Sequence, residues 1–363
     1  MAVSLDTLTQ TIASISDDVS MALTQTTPFL QYSKSLGKIH YVDGGITQGS
    51  YTLQIPVEVK QGTVATNLST GYEVINTSQT NTTDWARYTW GRQTVPFSLA
   101  GRETSENMGE AAVVKLAETR YKSAQNFFMR AINKQIVVGN QTSPTSFLDN
   151  GSLNGAIRVP TNGAANPNGV STGFLENQVP ASQANTVGGL SRATYNIPVW
   201  TNQFQQGTSH SAPWFASNGL NAFQRIRTFA SLNREQATDD KTFHLILTSA
   251  NCYDAYYQAQ YSNVRYIKQN ELDSGAFVMA FGDAPVVADP AMTAAIAGTG
   301  GDISAYFLNL DGIQLAILKG SEFKVGEFIA TPNQDVITAH ILFEGGLILR
   351  NAGMQGILMD AES

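Results

Sequence analysis

The chain has 363 residues, and its 22 Lys and Arg against 29 Asp and Glu give a formal charge of −7, which excludes a basic nucleic-acid reader. Only 14% of the residues are charged, against about 25% in an ordinary soluble domain, whereas Asn, Thr, Ser and Gln together number 112. A neutral polar surface suits a protein that is covered by other copies of itself, because charge is depleted at interface cores. A surface that is simply rich in Asn and Thr is the alternative.

Length and cysteine content limit the architectures that the chain can adopt. Single cores stop growing at about 250 to 300 residues, so we expect two lobes or one lobe with long extensions. Cys252 is the single cysteine, which excludes a disulfide framework and a multi-thiolate metal cage. Residues 1–33 contain no Lys or Arg, so we expect no secretory signal or transit peptide and place the protein in a cytosol. No apolar run reaches the length of a membrane span, about 18 residues.

The N-terminal residues predict a helix. Residues 4–26 carry apolar side chains at spacings of three and four, and Pro28 follows, which predicts an amphipathic helix that the proline ends. Its apolar stripe must be covered, either by the chain's own domain or by a neighbouring chain. The stripe residues taken as candidate contacts are Leu5, Leu8, Ile12, Ile15 and Val19.

The period of the apolar residues then changes to two. Alternation over 51–59 predicts one long strand, and the polar stretch 61–84 separates it from a second extended segment that holds Trp85, Tyr88 and Trp90. The two segments form a long two-stranded arm. Because an isolated ribbon is marginal in water and its edges invite pairing, the arm is expected to lie on another surface, which in a homo-oligomer is the next subunit.

The strongest helical pattern follows this arm. Thr104 or Ser105 is predicted as the N-cap, acidic residues occupy the first turns, and Arg130 and Lys134 lie near the end. A helix of about 32 residues spans roughly 48 Å, which suggests a spine in an elongated molecule. Residues 140–215 are poor in charge and rich in Asn and Gly, and their apolar side chains favour an ordered, irregular stretch over a disordered one.

The last part predicts an α/β lobe. Ser217 caps one helix, a strand covers 243–247, and Thr248 or Ser249 caps a second helix over 250–260. Short strands follow at 276–281, 285–288, 304–308 and 312–318. A closing series is predicted at 335–343, 346–350 and 353–359, with turns at 345–346 and at 353. This series is long enough to return and pack on the spine helix.

The sequence contains no recognisable catalytic motif. The four histidines are scattered, no metal-ligand spacing occurs, and the phosphate-binding and nucleophile motifs are missing. Cys252 lies in the first turn of a predicted helix, where a thiol pKa can fall, but a buried structural cysteine is the favoured interpretation. We therefore predict a protein that is not an enzyme, with no catalytic residue, cofactor or metal.

The order of these parts resembles the major capsid proteins of tailed bacteriophages, which have the HK97-type fold of the α+β class. The resemblance rests on the sequence segments 186–195, 219–222, 306–312, 326–336 and 353–358. The resemblance implies an N-terminal arm over 1–50, an extended hairpin called the E-loop over 51–98, and an axial domain over 216–331. It assigns 99–215 and 332–363 to a peripheral domain.

In that family the E-loop lies across a neighbouring subunit, and axial domains meet at the axes of pentamers and hexamers. The resemblance therefore implies E-loop contacts between subunits, with intramolecular packing of the aromatic residues as the alternative. The candidate contacts are Lys60, Gln61, Gly62, Thr63, Gly71, Trp85, Tyr88 and Trp90.

The implied function is self-assembly into an icosahedral shell that encloses a double-stranded DNA genome, in a virion assembled in the host cytoplasm. Many relatives carry a long charged scaffolding segment before the N-terminal arm, where this chain has a short uncharged helix, so a separate scaffolding protein is expected. A portal and a decoration protein are further implied partners. Some relatives crosslink a Lys to an Asn covalently, and we do not expect that bond between Lys60 and Asn351 here. DNA contact is expected to be weak because Lys and Arg clusters are missing.

Other classes of function stay open at this stage. An encapsulin-like compartment that stores a protein cargo has the same fold. A phage tail or receptor-binding subunit is compatible with Gly- and Asn-rich β structure, but not with the spine helix. An enzyme would need a site assembled from residues far apart in sequence.

Overall fold

The structure is a computed structural model of the 363-residue chain. It describes residues 8–11, 27–42, 52–58, 82–106, 110–137, 186–191, 200, 202–206, 218–232, 239–261, 269–271, 277–292, 297–298, 301–332 and 334–359. The helices are α1 (Pro28–Ser35), α2 (Gly101–Glu106), α3 (Glu110–Val137), α4 (Leu220–Leu232) and α5 (Ala250–Tyr261). No helix in these ranges is long and apolar enough to cross a membrane.

The described ranges contain eighteen strands. They are β1 (His40–Val42), β2 (Thr52–Glu58), β3 (Thr83–Thr89), β4 (Gly91–Ala100), β5 (Thr186–Val187), β6 (Leu190–Ser191), β7 (Gln203–Gln206), β8 (Leu245–Thr248), β9 (Gln269–Glu271), β10 (Phe277–Phe281), β11 (Ala284–Ala288), β12 (Ala297–Gly298), β13 (Gly301–Leu308), β14 (Ile313–Leu318), β15 (Lys324–Val325), β16 (Ile329–Ala330), β17 (Val336–Leu349) and β18 (Gly356–Met359).

Two large sheets organise the fold. The six-stranded sheet runs β1-β14-β17-β15, with β4 and β16 also paired to β17. The eight-stranded sheet runs β7-β18-β13-β8-β11-β10-β9, with β12 paired to β13. Two further pairs, β2–β3 and β5–β6, form two-stranded sheets. Both large sheets therefore combine strands from distant parts of the chain, as the predicted return of the closing series requires.

Strand alternation builds a core on each face of the eight-stranded sheet. On β8, Leu245 and Leu247 join the larger core, whereas Ile246 faces a smaller core formed with α4 and α5. On β13, Tyr306 and Phe307 divide between the same two cores. The larger core continues between α3 and the six-stranded sheet, so one apolar interior joins the spine helix to both sheets.

The spine helix is confirmed, but its start differs from the prediction. Thr104 and Ser105 lie inside α2, and their hydroxyls donate to the carbonyl oxygens of Gly101 and Arg102. They therefore bond back to the preceding turn and do not cap the N-terminus of the spine helix, because Ser and Thr hydroxyls compete for local carbonyls within helices. Helix α3 itself has 28 residues, about 42 Å at the usual rise per residue.

Strand β17 corrects a second prediction. The sequence places a turn at Gly345 and Gly346, but β17 runs unbroken for 14 residues through both glycines. Gly345 pairs with Ile317 on one side and with Gly91 on the other. A Cβ atom at Gly345 would lie 2.7 Å from the carbonyl oxygen of Ala316, so this glycine permits close strand approach.

The elements of the predicted α/β lobe are confirmed where the structure describes them. Helix α4 covers the predicted segment after Ser217, and α5 begins at the predicted cap, where the backbone N–H of Cys252 donates to Oγ of Ser249 at 3.2 Å. Cys252 is fully buried in the smaller core. Most of the predicted irregular stretch, 140–215, lies outside the described residues, apart from 186–191, 200 and 202–206.

Two short crossings between the large sheets lie side by side. Residues 309–312 connect β13 to β14, and residues 350–355 connect β17 to β18. The buried amide of Gln355 donates to the carbonyl oxygen of Asn309 and accepts from its backbone N–H, both at 2.9 Å. The Asn309 amide in turn donates to the carbonyl oxygen of Thr242. We call this hydrogen-bonded pair of crossings the sheet junction.

The predicted domain boundaries do not coincide with the sheets. Strands β14, β15 and β16 fall in the predicted axial segment but pair in the six-stranded sheet with β17. Strand β18 falls in the predicted peripheral segment but pairs with β13. A division that follows the sheets would place the boundary at the sheet junction, near residue 310.

Candidate functional site

The base of the predicted arm is a regular antiparallel hairpin. Strands β2 and β3 pair from Thr52 opposite Thr89 to Glu58 opposite Thr83. One face of the hairpin is buried, and its fully buried members are Ile55, Val57, Ala86 and Tyr88. The other face is open to solvent and mostly polar. Trp85 also lies on this face, opposite Pro56, and is 53% exposed. The hairpin thus has one face that its own subunit covers and one face available to a partner.

Specific contacts hold the buried face of this hairpin. The Tyr88 hydroxyl donates to the carbonyl oxygen of Leu349 at 2.7 Å, and the backbone N–H of Arg87 donates to the carbonyl oxygen of Gly188, also at 2.7 Å. Gly188 has a φ of +58°, and a Cβ atom there would lie 2.9 Å from the Tyr88 ring. The β5–β6 turn therefore lies directly on the hairpin, and only glycine fits.

These contacts separate the three aromatic candidates. Tyr88 is an intramolecular anchor, Trp90 is partly buried against the larger core, and Trp85 faces away from the subunit. The expected support of the arm by another surface is thus supplied, at its base, by the same chain. The candidates at the tip, Lys60, Gln61, Gly62, Thr63 and Gly71, lie outside the described residues, so their contacts with a neighbouring subunit stay a prediction.

Of the five N-terminal candidate residues, the structure describes Leu8. Residues 8–11 are helical, and Leu8 is 2% exposed within the larger core. Leu5, Ile12, Ile15 and Val19 lie outside the described residues. Pro28 occupies the first turn of α1 and begins that helix, whereas residues 12–26, where the predicted helix would end, lie outside the described residues. Proline suits this position, where the missing N–H would have no intrahelical partner.

A polar cluster that sequence reasoning missed lies beside the sheet junction. Atoms of Asp239, His244 and Asp311 lie within 4.8 Å of one another, which is close enough for three ligands of one metal ion. The backbone N–H of Leu310 donates to Nδ1 of His244, so Nε2 carries the proton and donates to Asp239 at 2.7 Å. Burial is the largest single effect and would raise the pKa of Asp239, but the hydrogen bond and charge interaction with His244 and the hydrogen bond from the Lys241 backbone together lower the pKa.

Lys38 supplies the positive charge that this cluster requires. Its Nζ lies 2.5 Å from Oδ1 of Asp311 and 3.9 Å from Oδ2 of Asp239. A metal ion would have to displace this ammonium group, and the His244 ring has both nitrogens engaged. The cluster is therefore an ion-pair network that ties the segment after α1 to the sheet junction. No spacing rule reveals it, because Asp311 is distant in sequence from the other members.

A second buried carboxyl joins the spine helix to the eight-stranded sheet. Asp289 follows β11, is 1% exposed, and accepts at Oδ1 from the Asn133 amide of α3 and from the backbone N–H of Ala291, both at 2.8 Å. Within the described ranges, Oδ2 of Asp289 and Oδ1 of Asn133 have no hydrogen-bond partner. One proton on Asp289 would satisfy both oxygens. Burial raises the pKa of Asp289, which favours this protonated form.

We expect this carboxyl to make stability depend on pH. Because the pKa of Asp289 is raised in the folded chain, its contribution to stability is complete below the unfolded pKa, about 3.9, and is lost as pH rises through the folded pKa. Asp289→Asn keeps an oxygen that accepts from the Asn133 amide and the Ala291 N–H, and it carries no charge. The variant should melt at a higher temperature than wild type at pH 8, with the difference shrinking towards pH 4.

Thermal unfolding of the unassembled protein, followed by circular dichroism across this pH range, measures the effect. Asp289→Ala is the matched control, because it leaves the Asn133 amide unpaired and should cost about 2 kcal/mol even at low pH. Equal pH profiles for wild type and Asp289→Asn would show that Asp289 is ionised in the folded chain.

Comparison with known proteins identifies the architecture. No family model matches the chain, and no curated protein does. The asymmetric unit of the cyanophage A-1(L) capsid superposes with a TM-score of 0.56 at 16% identity, covering 90% of this chain and 92% of that one. The holo-SrpI encapsulin complex from Synechococcus elongatus PCC 7942 gives 0.51 at 6% identity, covering 91% and 87%. The mature capsid of bacteriophage PhiM1 gives 0.50 at 10% identity, covering 89% and 85%.

The chain has the HK97-type fold. The predicted fold and its α+β class are confirmed. In terms of the HK97-type fold, the β2–β3 hairpin is the base of the predicted E-loop and α3 is the spine helix. Whether the E-loop and N-terminal candidates contact a neighbouring subunit stays a prediction, as does the absence of enzymatic activity.

Proposed function

We propose that this chain is the subunit of a closed protein shell. The observation that carries the proposal is the extent of the fold match, which covers 90% of this chain and 92% of the cyanophage capsid subunit. A match of that extent is not confined to one lobe of the chain. A single shared lobe would be compatible with many functions, whereas a whole-chain match favours the shell function.

Within that class, we favour a phage major capsid protein that encloses double-stranded DNA in a virion and assembles in the host cytoplasm. The cyanophage capsid match has the higher TM-score and the higher identity of the two shell types. An encapsulin-like compartment is the second candidate, supported by the encapsulin match at a TM-score of 0.51. A scaffolding protein, a portal and a decoration protein are the proposed partners besides other copies of the chain.

The proposed subunit contacts follow from the hairpin geometry. The E-loop tip and the open face with Trp85 are proposed to lie on a neighbouring subunit. The Trp85 side chain is 53% exposed, and a partner that covers it would remove this apolar surface from water. The N-terminal arm is proposed as a second contact, although Leu8 is already buried in its own subunit. The predicted order of N-terminal arm, E-loop, peripheral domain and axial domain is kept. The boundary between the axial domain and the returning peripheral segment is proposed to lie at the sheet junction, which the strand pairing favours.

The size of the purified protein tests the shell function. Velocity sedimentation with negative-stain microscopy, on the protein alone and co-expressed with its scaffold gene, should show closed particles of megadalton mass. A stable 39.1 kDa monomer under both conditions would contradict the proposal. Particles from producing cells then separate the two candidates, because nuclease-resistant DNA indicates a capsid and a copurifying protein cargo indicates a compartment.

A further inference from the structure

The exposed face of the spine helix is strongly basic in a chain whose formal charge is −7. Five cations of α3 are exposed, and two of them are neutralised by ion pairs, Arg120 with Glu103 and Lys122 with Glu118. The other three form no ion pair with any residue that the structure describes; they are Lys115, Arg130 and Lys134. We call these three residues the basic face.

The three cations of the basic face share one side of the helix. At 3.6 residues per turn they fall within an arc of about 100°, and at 1.5 Å per residue they extend over about 28 Å. That length matches about eight base pairs of double-stranded DNA at 3.4 Å each. The exposed side chains between the cations are short, and Ser123 and Asn126 can donate hydrogen bonds to phosphate oxygens. A straight polyanion can therefore approach the helix along its length.

The chemistry of this surface favours a phosphate backbone over an acidic protein. A docked protein helix would need apolar side chains to bury along the same surface. The exposed side of α3 offers one large apolar side chain, Phe127, which is 65% exposed at the edge of the basic face. Phosphates need only cations and hydrogen-bond donors.

We propose that the basic face of α3 binds the phosphate backbone of double-stranded DNA, without reading its sequence. The inference rests on the proposed function in that it names the contact between a shell and its enclosed genome. It places this side of α3 on the inner surface of the shell. Sequence spacing alone does not reveal the basic face, because helical geometry brings to one side cations that acidic and polar residues separate in sequence.

The test titrates a fluorescent duplex of about 30 base pairs with the unassembled full-length protein, between about 50 and 200 mM salt. Three phosphate contacts predict a slope of log K against log salt of about −2.7, or about a 40-fold loss of affinity over that range. In the triple variant Lys115→Gln, Arg130→Gln, Lys134→Gln the slope should fall close to zero. Glutamine is a good helix former, so the variant should keep its circular dichroism spectrum.

The matched control removes three exposed cations that lie elsewhere, as Arg87→Gln, Lys241→Gln, Lys324→Gln. It carries the same net charge as the basic-face variant and should keep the wild-type slope. Equal losses in both triple variants, or no salt-dependent binding by wild type, would overturn the proposal. Polyglutamate that binds as tightly as the duplex, with loss of binding in Phe127→Ser, would overturn it in favour of an acidic protein partner.

Shell formation is measured separately by sedimentation, so the two hypotheses can fail independently. Closed shells from a protein that does not bind the duplex would overturn this inference and leave the shell function intact. Salt-dependent duplex binding by a protein that never forms shells would support the basic face and contradict the proposed function.

Discussion

Replacing Gln355 with leucine is expected to lower the free energy of unfolding by about 2 kcal/mol. Leucine fills a similar volume, but it leaves the backbone N–H and carbonyl of Asn309 without the partners that the Gln355 amide supplies at 2.9 Å. Both residues are fully buried, so water cannot replace these bonds. The Asn309 N–H is then left unpaired, which costs about 1 to 3 kcal/mol, whereas the carbonyl oxygen keeps the backbone N–H groups of Gly312 and Ile313.

Urea denaturation of unassembled subunits, monitored by tryptophan fluorescence, measures this change. The control is Gln224→Leu on the exposed side of α4, which makes the same chemical change without removing a buried partner. It should shift the free energy by no more than about 0.5 kcal/mol. If the two variants differ little, the sheet junction does not depend on the Gln355 amide.

Removing the tip of the proposed E-loop is expected to abolish closed shells while leaving the subunit folded. The sharpest version joins Glu58 to Thr83 through an Asn-Gly turn, because these residues lie opposite each other at the end of the hairpin and a two-residue turn suits that register. The buried face and the Tyr88 hydrogen bond to Leu349 are kept. The melting temperature should therefore change little.

Sedimentation and negative-stain microscopy measure the loss of shells, and near-ultraviolet circular dichroism confirms the retained packing. A companion variant replaces residues 59–82 by a Gly/Ser segment of equal length. It should also fail to assemble, because the segment restores the length of chain but not its side-chain contacts. Normal shells from either variant would show that the tip is dispensable, and the E-loop assignment would fall.

Local patterns in the sequence predict much of this fold. The period of two over 51–59 and the cap at Ser249 correspond to β2 and α5, because both patterns depend on neighbours a few residues away. The predicted turn at Gly345 is wrong because glycine also permits close strand approach, which depends on a partner strand distant in the chain. Pro28 has a role that the prediction did not include, since a proline that cannot continue one helix can begin another.

The candidate site is predictable only in part. Alternation identifies the hairpin, but it does not show that Tyr88 anchors the base while Trp85 faces outward, since that distinction depends on Leu349 and Gly188. The cluster around His244 has no sequence signal for the same reason. Its members Lys38 and Asp311 come from segments far from His244 in the chain, so only the folded structure brings them together.

The sheet junction has a mechanical consequence for the subunit. The two crossings, 309–312 and 350–355, are bonded to each other through Gln355 and Asn309, and the Arg350 backbone donates to the carbonyl oxygen of Gly312. The strands that the crossings join lie inside their sheets, so neither sheet can open there without loosening the other. Local opening of one lobe is suppressed, and heating should unfold the subunit in a single calorimetric transition, in which the two lobes share one melting temperature.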